Sequence, residues 1–383
     1  MRIAHVTDCY LPRPGGIERQ VHNLAVRQQQ AGHDVTVVTS AAGPPRSADS
    51  DVRVLRPRRL AGSKPTRVRY EWTRRGCRAV LSGDFDVVHV HASTVSPLGF
   101  LTAASAARAG APTAVTVHSL WASAAPLYRC ADAGLRWSRW PVAWSAVSSV
   151  AAAPLQRILG PSSPVTVLPN GVDPAFWQID SLPRCPERVV VATVGRLAVR
   201  KRPGPLLRML REARAQLPGH VRLEALVVGE GPLRRRLERF LHSSGMDGWV
   251  DLAGPATHEQ LRAMYADIDF YVAPATLESF GIAALEARCA GLPVVAHAES
   301  GVSDFITDDL DGLLTADDDG MVASIVRLAS SATTLARMRR HASTAPSGVG
   351  WPAVLAANEA LYETARLAAG RETPRSPASA GVA

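Results

Sequence analysis

Cysteine is scarce in this sequence and badly placed for cross-linking. Cys9, Cys77, Cys130, Cys185 and Cys289 are odd in number, widely scattered and never in a C-x-x-C pair. This argues against a disulfide framework and a zinc site, and makes a reduced compartment the default expectation. Aromatic residues are only 5% of the chain, and no RNA-binding signature accompanies its basic stretches, so no nucleic-acid partner is expected. No apolar run reaches the roughly 18 residues a membrane span needs. Asp8 comes too early in the first strand-like stretch for a signal peptide. A cytoplasmic location is the resulting expectation.

What is present suits a globular chain of two domains: 383 residues, 46% of them hydrophobic, with a mean hydropathy of +0.01. Lys and Arg number 43 against 34 Asp and Glu, a net charge of +9. The excess is uneven. Arg53–Arg78 holds ten basic residues against Glu71 alone, a second concentration runs from Arg196 to Arg214, and a third is Arg234, Arg235, Arg236 and Arg239. Such runs are either solvated helix faces or a surface for an anionic partner, with an anionic membrane favoured over nucleic acid. Peripheral association with the inner face of the plasma membrane is the corresponding expectation.

Short runs rich in β-branched residues alternate with helical stretches. "RIAHVTD", "DVTVVTS", "VRVLRP", "DVVHVHA", "TAVTVHS", "WSAVSS" and "VTVLPNG" read as strands, with helices over Gly16–Ala31, Arg67–Leu81 and Pro97–Ala109. A second series comprises "VVVATVGRL", "LEALVVGEG", "VDLAGP", "DFYVAP", "PVVAH" and "DGLLT". The pattern predicts an α/β chain of two doubly wound parallel-sheet domains facing each other, over residues 1–180 and 186–350, with the proline-bearing "SLPRCPER" as linker. A closing helix is expected over 351–369 and a disordered tail over 370–383.

The motifs cluster where such sheets bind ligands, beyond the carboxyl ends of the strands. Gly15 and Gly16 in "PRPGGIERQ" open a helix whose free N–H groups suit an anion, or they form a plain tight turn. "VGEGPLRRRL" holds Gly229 and Gly231 but Arg at position 234, where a dinucleotide fingerprint needs a third glycine. Arg196 and Lys201 in "VGRLAVRKRP" offer a fork and a point charge to a pyrophosphate, or are surface cations. In "TLESFGIAALEARCAGLPVVA", Glu278 stands before a helix read as starting near Phe280, with Gly281 in its first turn, and Glu286 lies on that helix. Carboxylates held near apolar surface need a partner. Vicinal hydroxyls of a ribose and a sugar would serve, the bland alternative being capping or surface glutamates.

Taken in order, "GGIER", "TVHS", "LPNGVD", "VGRL" with Lys201, "VGEGP", "ESFGIAALEA" and "AGLPVVA" resemble the retaining glycosyltransferases of family 4, over nearly the whole chain. The resemblance implies a GT-B fold, two Rossmann-like domains across a cleft, and transfer of a hexose from a nucleotide diphosphate sugar. The mannosyl-, glucosyl- and N-acetylglucosaminyltransferases are the models for it. It places Arg196 and Lys201 on the donor diphosphate, Glu286 on the ribose, Glu278 on the transferred sugar, the Ser279, Phe280 and Gly281 backbone by sugar and phosphate, and Gly16 under the diphosphate. Gly229 joins the donor-binding set. His118 falls at the reaction centre, although a strand-end histidine is by itself more often a packing residue. His89 and His91 are assigned mainly to structure, His91 near the acceptor.

Two departures stand out. Ser300-Gly301-Val302-Ser303-Asp304 replaces the usual Gly-Gly-x-x-Glu, and Arg202-Pro203 replaces the glycine after Lys201. No D-x-D motif is seen at the donor loops, so metal-independent transfer is expected, with cations and a helix N-terminus stabilising the leaving group. No cofactor is implied. The family often closes with a helix that crosses back to the first domain, and "WPAVLAANEALYETA" has the apolar spacing for it, with Leu355, Leu361 and Tyr362 as candidate contacts. The acceptor is a glycan, a lipid-linked sugar or a small polyol. The alternatives are a GT-B sugar-nucleotide epimerase, a non-catalytic sugar-nucleotide-binding regulator and, weakest, a nicotinamide dehydrogenase.

Overall fold

The computed structural model describes residues 1–13, 15–43, 46–47, 50–57, 65–122, 125–179, 187–344 and 348–371. Most of the expected linker, with Cys185, the tail beyond Arg371 and residues 58–64 of the basic stretch lie outside them.

The first sheet contains β1 (Arg2–Thr7), β2 (Asp34–Thr39), β3 (Arg46–Ser47), β4 (Ser50–Leu55), β5 (Val87–Ala92), β6 (Thr113–Val117), β7 (Ala143–Ala146) and β8 (Val165–Val167). They lie in the order β3-β4-β2-β1-β5-β6-β7-β8, all pairs parallel except β3 with β4. The second sheet contains β9 (Arg188–Val194), β10 (Arg222–Val228), β11 (Val250–Gly254), β12 (Phe270–Ala273), β13 (Val294–His297) and β14 (Gly312–Thr315). Its order is β11-β10-β9-β12-β13-β14, entirely parallel. Leaving out the two-residue β3, which the sequence did not suggest, each sheet starts 3-2-1-4-5-6 from its own first strand. That is the doubly wound order, and the reversal beside the first strand marks the switch point where ligands bind. Central strands such as β5 and β6 are buried along their whole length, as expected of parallel strands covered on both faces.

The helices are α1 (Gly16–Gln30), α2 (Pro65–Leu81), α3 (Pro97–Arg108), α4 (Ala125–Leu135), α5 (Ser149–Leu159), α6 (Pro174–Trp177) and α7 (Pro203–Gln216). They continue with α8 (Arg234–Ser243), α9 (His258–Tyr265), α10 (Ile282–Cys289), α11 (Asp318–Ser330), α12 (Ala332–Thr344) and α13 (Trp351–Arg371). In α1, Val21, Leu24, Ala25 and Gln28 are buried at helical spacing, one stripe turned to the sheet. Helix α9 starts on a capping box of Thr257 and Gln260, and α11 on Asp317, whose carboxylate accepts from the Gly320 N–H.

The chain divides into two compact units. One is Met1–Gly171 with the chain from Pro352 onward, the other Val172–Trp351. The first unit's core joins Ile3, Val35, Val54 and Val87 of its strands to Val21 of α1 and to Leu361, Tyr362 and Ala365 of α13. Leu355, expected among these contacts, is only half-buried. The second unit closes its own core around Val189, Leu206, Leu223, Phe270, Val295 and Ile325.

Candidate functional site

In the second unit, the sheet order places the loop after β9 beside the loop after β12. The first carries Arg196 and, in a 3-10 turn, Lys201; the second carries Glu278. Lys201 Nζ donates to Glu278 Oε2 in a short ion pair, with side chains 43% and 15% exposed. Arg196 is exposed and makes no ion pair among the described residues.

Helix α10 begins at Ile282, two residues later than the sequence suggested. Gly281 is its N-cap rather than part of its first turn, with a left-handed φ of 91°. A side chain there would also meet Val302 Cγ2 at 2.6 Å, so glycine answers both backbone and space. The Ser300–Asp304 loop is joined to the same turn. The Gly301 N–H donates to the Glu278 carbonyl at 2.9 Å, and a Cβ on Gly301 would lie 2.3 Å from the Ser279 carbonyl oxygen. Ser279 is half-buried, whereas Phe280 is buried, its ring 5.4 Å from that of Phe305. Glu286, one face of α10 further on, is 7% exposed. Its Oε1 lies 3.4 Å from Nε2 of His258, and that imidazole stands edge-on to Trp177 at 5.2 Å.

Gly229 has a structural duty of its own. At φ 139° its Cβ would sit 2.0 Å from the Gly195 carbonyl oxygen, and one on Gly231 would sit 2.4 Å from that of Leu197. The two glycines let the loops after β9 and β10 exchange backbone hydrogen bonds, Gly195 N–H to Val228 and Leu197 N–H to Glu230, both at 3.0 Å.

Three further residues of this site have no role assigned from the sequence, although Arg202 stands out there as a replacement for glycine. Arg202 follows Lys201 with a left-handed φ of 54°, a conformation that disfavours any residue with a Cβ. Its guanidinium forks onto Asp318 at 2.8 and 2.7 Å and donates to the Pro274 carbonyl at 3.1 Å. It thereby ties the turn to α11 and lowers the Asp318 pKa. Tyr271 accepts from the N–H of Val194 and donates to its carbonyl, both at 3.1 Å. Tyr265 lies fully buried. Burial above all, with neighbouring Glu286 adding to it, pushes both phenols up, so they stay neutral behind the two glutamates.

Of the five stretches that spell Asp-x-Asp, Asp309–Asp311 and Asp317–Asp319 are the two that lie beyond β13. Asp309 is paired with Arg327 and Arg337, Asp311 is buried against Arg288 at 2.9 Å, and Asp317 caps α11. Each of these three carboxylates already has a structural partner.

In the first unit, Gly16 is the first residue of α1 and Gly15 its N-cap. The Glu18 carboxylate lies over that end: a Cβ on Gly15 would be 2.1 Å from Glu18 Oε2. His118 follows β6, and its N–H donates to the Ala92 carbonyl at 2.8 Å. It is buried, with burial pushing its imidazole down to about 4. It does not stand alone, because His91 Nδ1 is 3.0 Å from its Nε2 and His5 Nδ1 is 2.9 Å from His91 Nε2. His5, His89 and His91 are the group of three among the described residues that could hold a metal ion. Yet all six of their ring nitrogens are engaged, with Gln28, Tyr362, Thr116, His118 and one another. A metal would have to displace those bonds, so the cluster reads as a hydrogen-bonded network.

Residues 14–176 match the model of Glycosyltransferase Family 4, and residues 188–331 that of Glycosyl transferases group 1. A phosphatidyl-myo-inositol mannosyltransferase of Mycolicibacterium smegmatis is 27% identical, over 95% of this chain and 94% of that one. A GDP-mannose-dependent alpha-mannosyltransferase of the same organism is 28% identical, over 92% and 95% respectively. The solved sucrose-phosphate synthase of Thermosynechococcus elongatus superposes with a TM-score of 0.74 at 20% identity, covering 94% of this chain and 98% of that one. Two adjoining family models, relatives matched along almost their full length and the shared two-sheet architecture agree: this chain is a glycosyltransferase of family 4, with the GT-B fold.

Proposed function

We propose that the chain transfers a hexose from a GDP- or UDP-linked sugar to an acceptor hydroxyl, with retention of anomeric configuration and without a metal ion. The observation that carries this reading is the Lys201–Glu278 ion pair at the switch point of the second sheet. The two groups hold each other and have complementary uses when a donor arrives. Lys201, with the Arg196 fork, takes the diphosphate, while Glu278 accepts hydrogen bonds from hydroxyls of the sugar. Glu286, deeper along α10, accepts from the ribose hydroxyls. The N-terminus of α10 and the two cations stabilise the charge that grows on the leaving diphosphate. Support for metal independence comes from Asp309, Asp311 and Asp317, whose carboxylates are already engaged by arginines or by a helix N-terminus.

On the acceptor side, one relative is named for phosphatidyl-myo-inositol and another for GDP-mannose as donor. With the basic stretch Arg53–Arg78, this favours a lipid-linked or polyol acceptor met at an anionic membrane surface. No helix among the described residues is long and apolar enough to cross a membrane, so peripheral docking is the mode proposed. The test is incubation with a panel of nucleoside diphosphate sugars and acceptors, with the anomeric configuration of the product read by NMR. Retained configuration supports the reading. Inverted product overturns the stereochemistry, and a changed sugar nucleotide without transfer points to an epimerase.

A further inference from the structure

One face of the first sheet buries a row of polar side chains where apolar ones would be expected. His5 on β1, His89 and His91 on β5, Thr116 on β6 and Ser145 on β7 are all nearly inaccessible. Gln28 of α1 and Tyr362 of α13 meet them. Buried polar groups persist when each finds a partner of the right sense, and here the sense of every bond can be worked out.

One end of the chain is fixed by a backbone carbonyl, which can only accept. The Ser145 hydroxyl donates to the Val115 carbonyl at 3.4 Å and so accepts from Thr116 at 2.7 Å. Thr116 then accepts from His89 Nε2–H at 2.7 Å, which leaves His89 Nδ1 to accept from the Tyr362 hydroxyl at 3.0 Å. Tyr362 in turn accepts from the Gln28 amide at 2.9 Å, and this turns the Gln28 Oε1 toward His5 at 2.6 Å. An amide oxygen only accepts, so His5 carries its proton on Nε2. Burial keeps these imidazoles neutral, His5 being pushed down to about 4 and His89 and His91 also lowered. A neutral ring is a donor at one nitrogen and an acceptor at the other. His5 Nδ1 therefore accepts from His91 Nε2–H, and His91 Nδ1 accepts from His118 Nε2–H.

We propose that Gln28, His5 and His91 are positioning residues for His118. Their one-way chain of hydrogen bonds fixes its Nε2–H tautomer and leaves Nδ1 as a hydrogen-bond acceptor for a substrate hydroxyl. Nδ1 has no hydrogen-bond partner among the described residues. The substrate half of the statement rests on the proposed function; the tautomer half does not.

The experiment records long-range proton–nitrogen spectra of the substrate-free protein labelled with 15N-histidine, the His118 signals being assigned by their loss in His118→Gln. The expected result is a neutral His118 protonated on Nε2. His91→Leu breaks the chain, so His118 becomes a mixture of tautomers. His91→Gln restores the Nε2–H form, because one amide supplies both the donor for His5 and the acceptor for His118. Gln28→Leu is the second variant, and it randomises His118 from three residues away along the chain. In transfer assays His91→Leu lowers kcat roughly ten- to hundredfold, and His91→Gln recovers most of it. A wild-type His118 protonated on Nδ1, or one whose tautomer is unmoved in a folded His91→Leu or Gln28→Leu protein, overturns the proposal. Correct tautomers with no effect on kcat leave the chain intact as a finding and remove His118 from the reaction.

Discussion

Lys201 and Glu278 lie 77 residues apart in the chain and form an ion pair at the carboxyl edge of the second sheet. A pair this exposed is worth at most about 1 kcal/mol of stability, so Lys201→Ala should shift the melting temperature little. Its effect on turnover should be large, because negative charge grows on the diphosphate as the sugar–phosphate bond breaks. Steady-state kinetics should show kcat falling about 10²–10³-fold, with a smaller change in donor KM. Adding Arg196→Ala should cost less than the sum of the single effects, since both cations act on one diphosphate. Near wild-type kcat in both single variants would remove them from the leaving-group site.

Arg202 gives a test confined to stability. Its left-handed backbone suits glycine, and its side chain compensates through the fork onto Asp318. Arg202→Ala loses the fork and the bond to the Pro274 carbonyl and keeps the strain, whereas Arg202→Gly loses the same bonds but relieves the strain. Denaturant unfolding should rank wild type above Gly and Gly above Ala, the last two about 1 kcal/mol apart. An Ala variant as stable as the Gly variant would contradict this account of the turn.

Metal independence is tested by assay in excess EDTA. Activity should persist unchanged. Loss of activity with EDTA and recovery with magnesium or manganese would place a metal where Arg196 and Lys201 are assigned.

The architecture was largely legible, because apolar β-branched runs and helical stripes are local signals. The two-residue β3 has no such signal, and the start of α10 moved because Gly281 caps the helix instead of entering it. Glu278 and Glu286 could be singled out as charges beside apolar residues. Their partners Lys201 and His258 could not be named as such, since sheet order, not spacing, brings them there. The same limit hid the histidine chain. His89 and His91 are two residues apart on one strand, but Gln28 and Tyr362, which orient them, are separated by 334 residues.

The buried histidines predict an acid limit for the first unit. The pKa values of His5 and His118 fall from 6.5 to about 4 on folding, so the unfolded chain takes up protons first as pH drops. Their contribution is complete above pH 6.5 and is lost between there and about pH 4, by about 1.4 kcal/mol per pH unit for each ring. Thermal unfolding should show Tm falling steeply over that window, and less steeply in His5→Gln. A flat Tm from pH 7 to pH 4 would contradict the burial of neutral imidazoles.

The central claim is that the second unit binds a nucleoside diphosphate through Glu286 as well as through the cations. Isothermal titration of GDP and UDP against wild type and Glu286→Ala tests it most directly. The account predicts saturable one-to-one binding of at least one nucleotide without added metal, weakened about ten- to hundredfold by the substitution, as expected for loss of roughly 1.5–3 kcal/mol from a hydrogen bond to a charged acceptor. Absence of binding by either nucleotide, or equal affinity in wild type and variant, would contradict it.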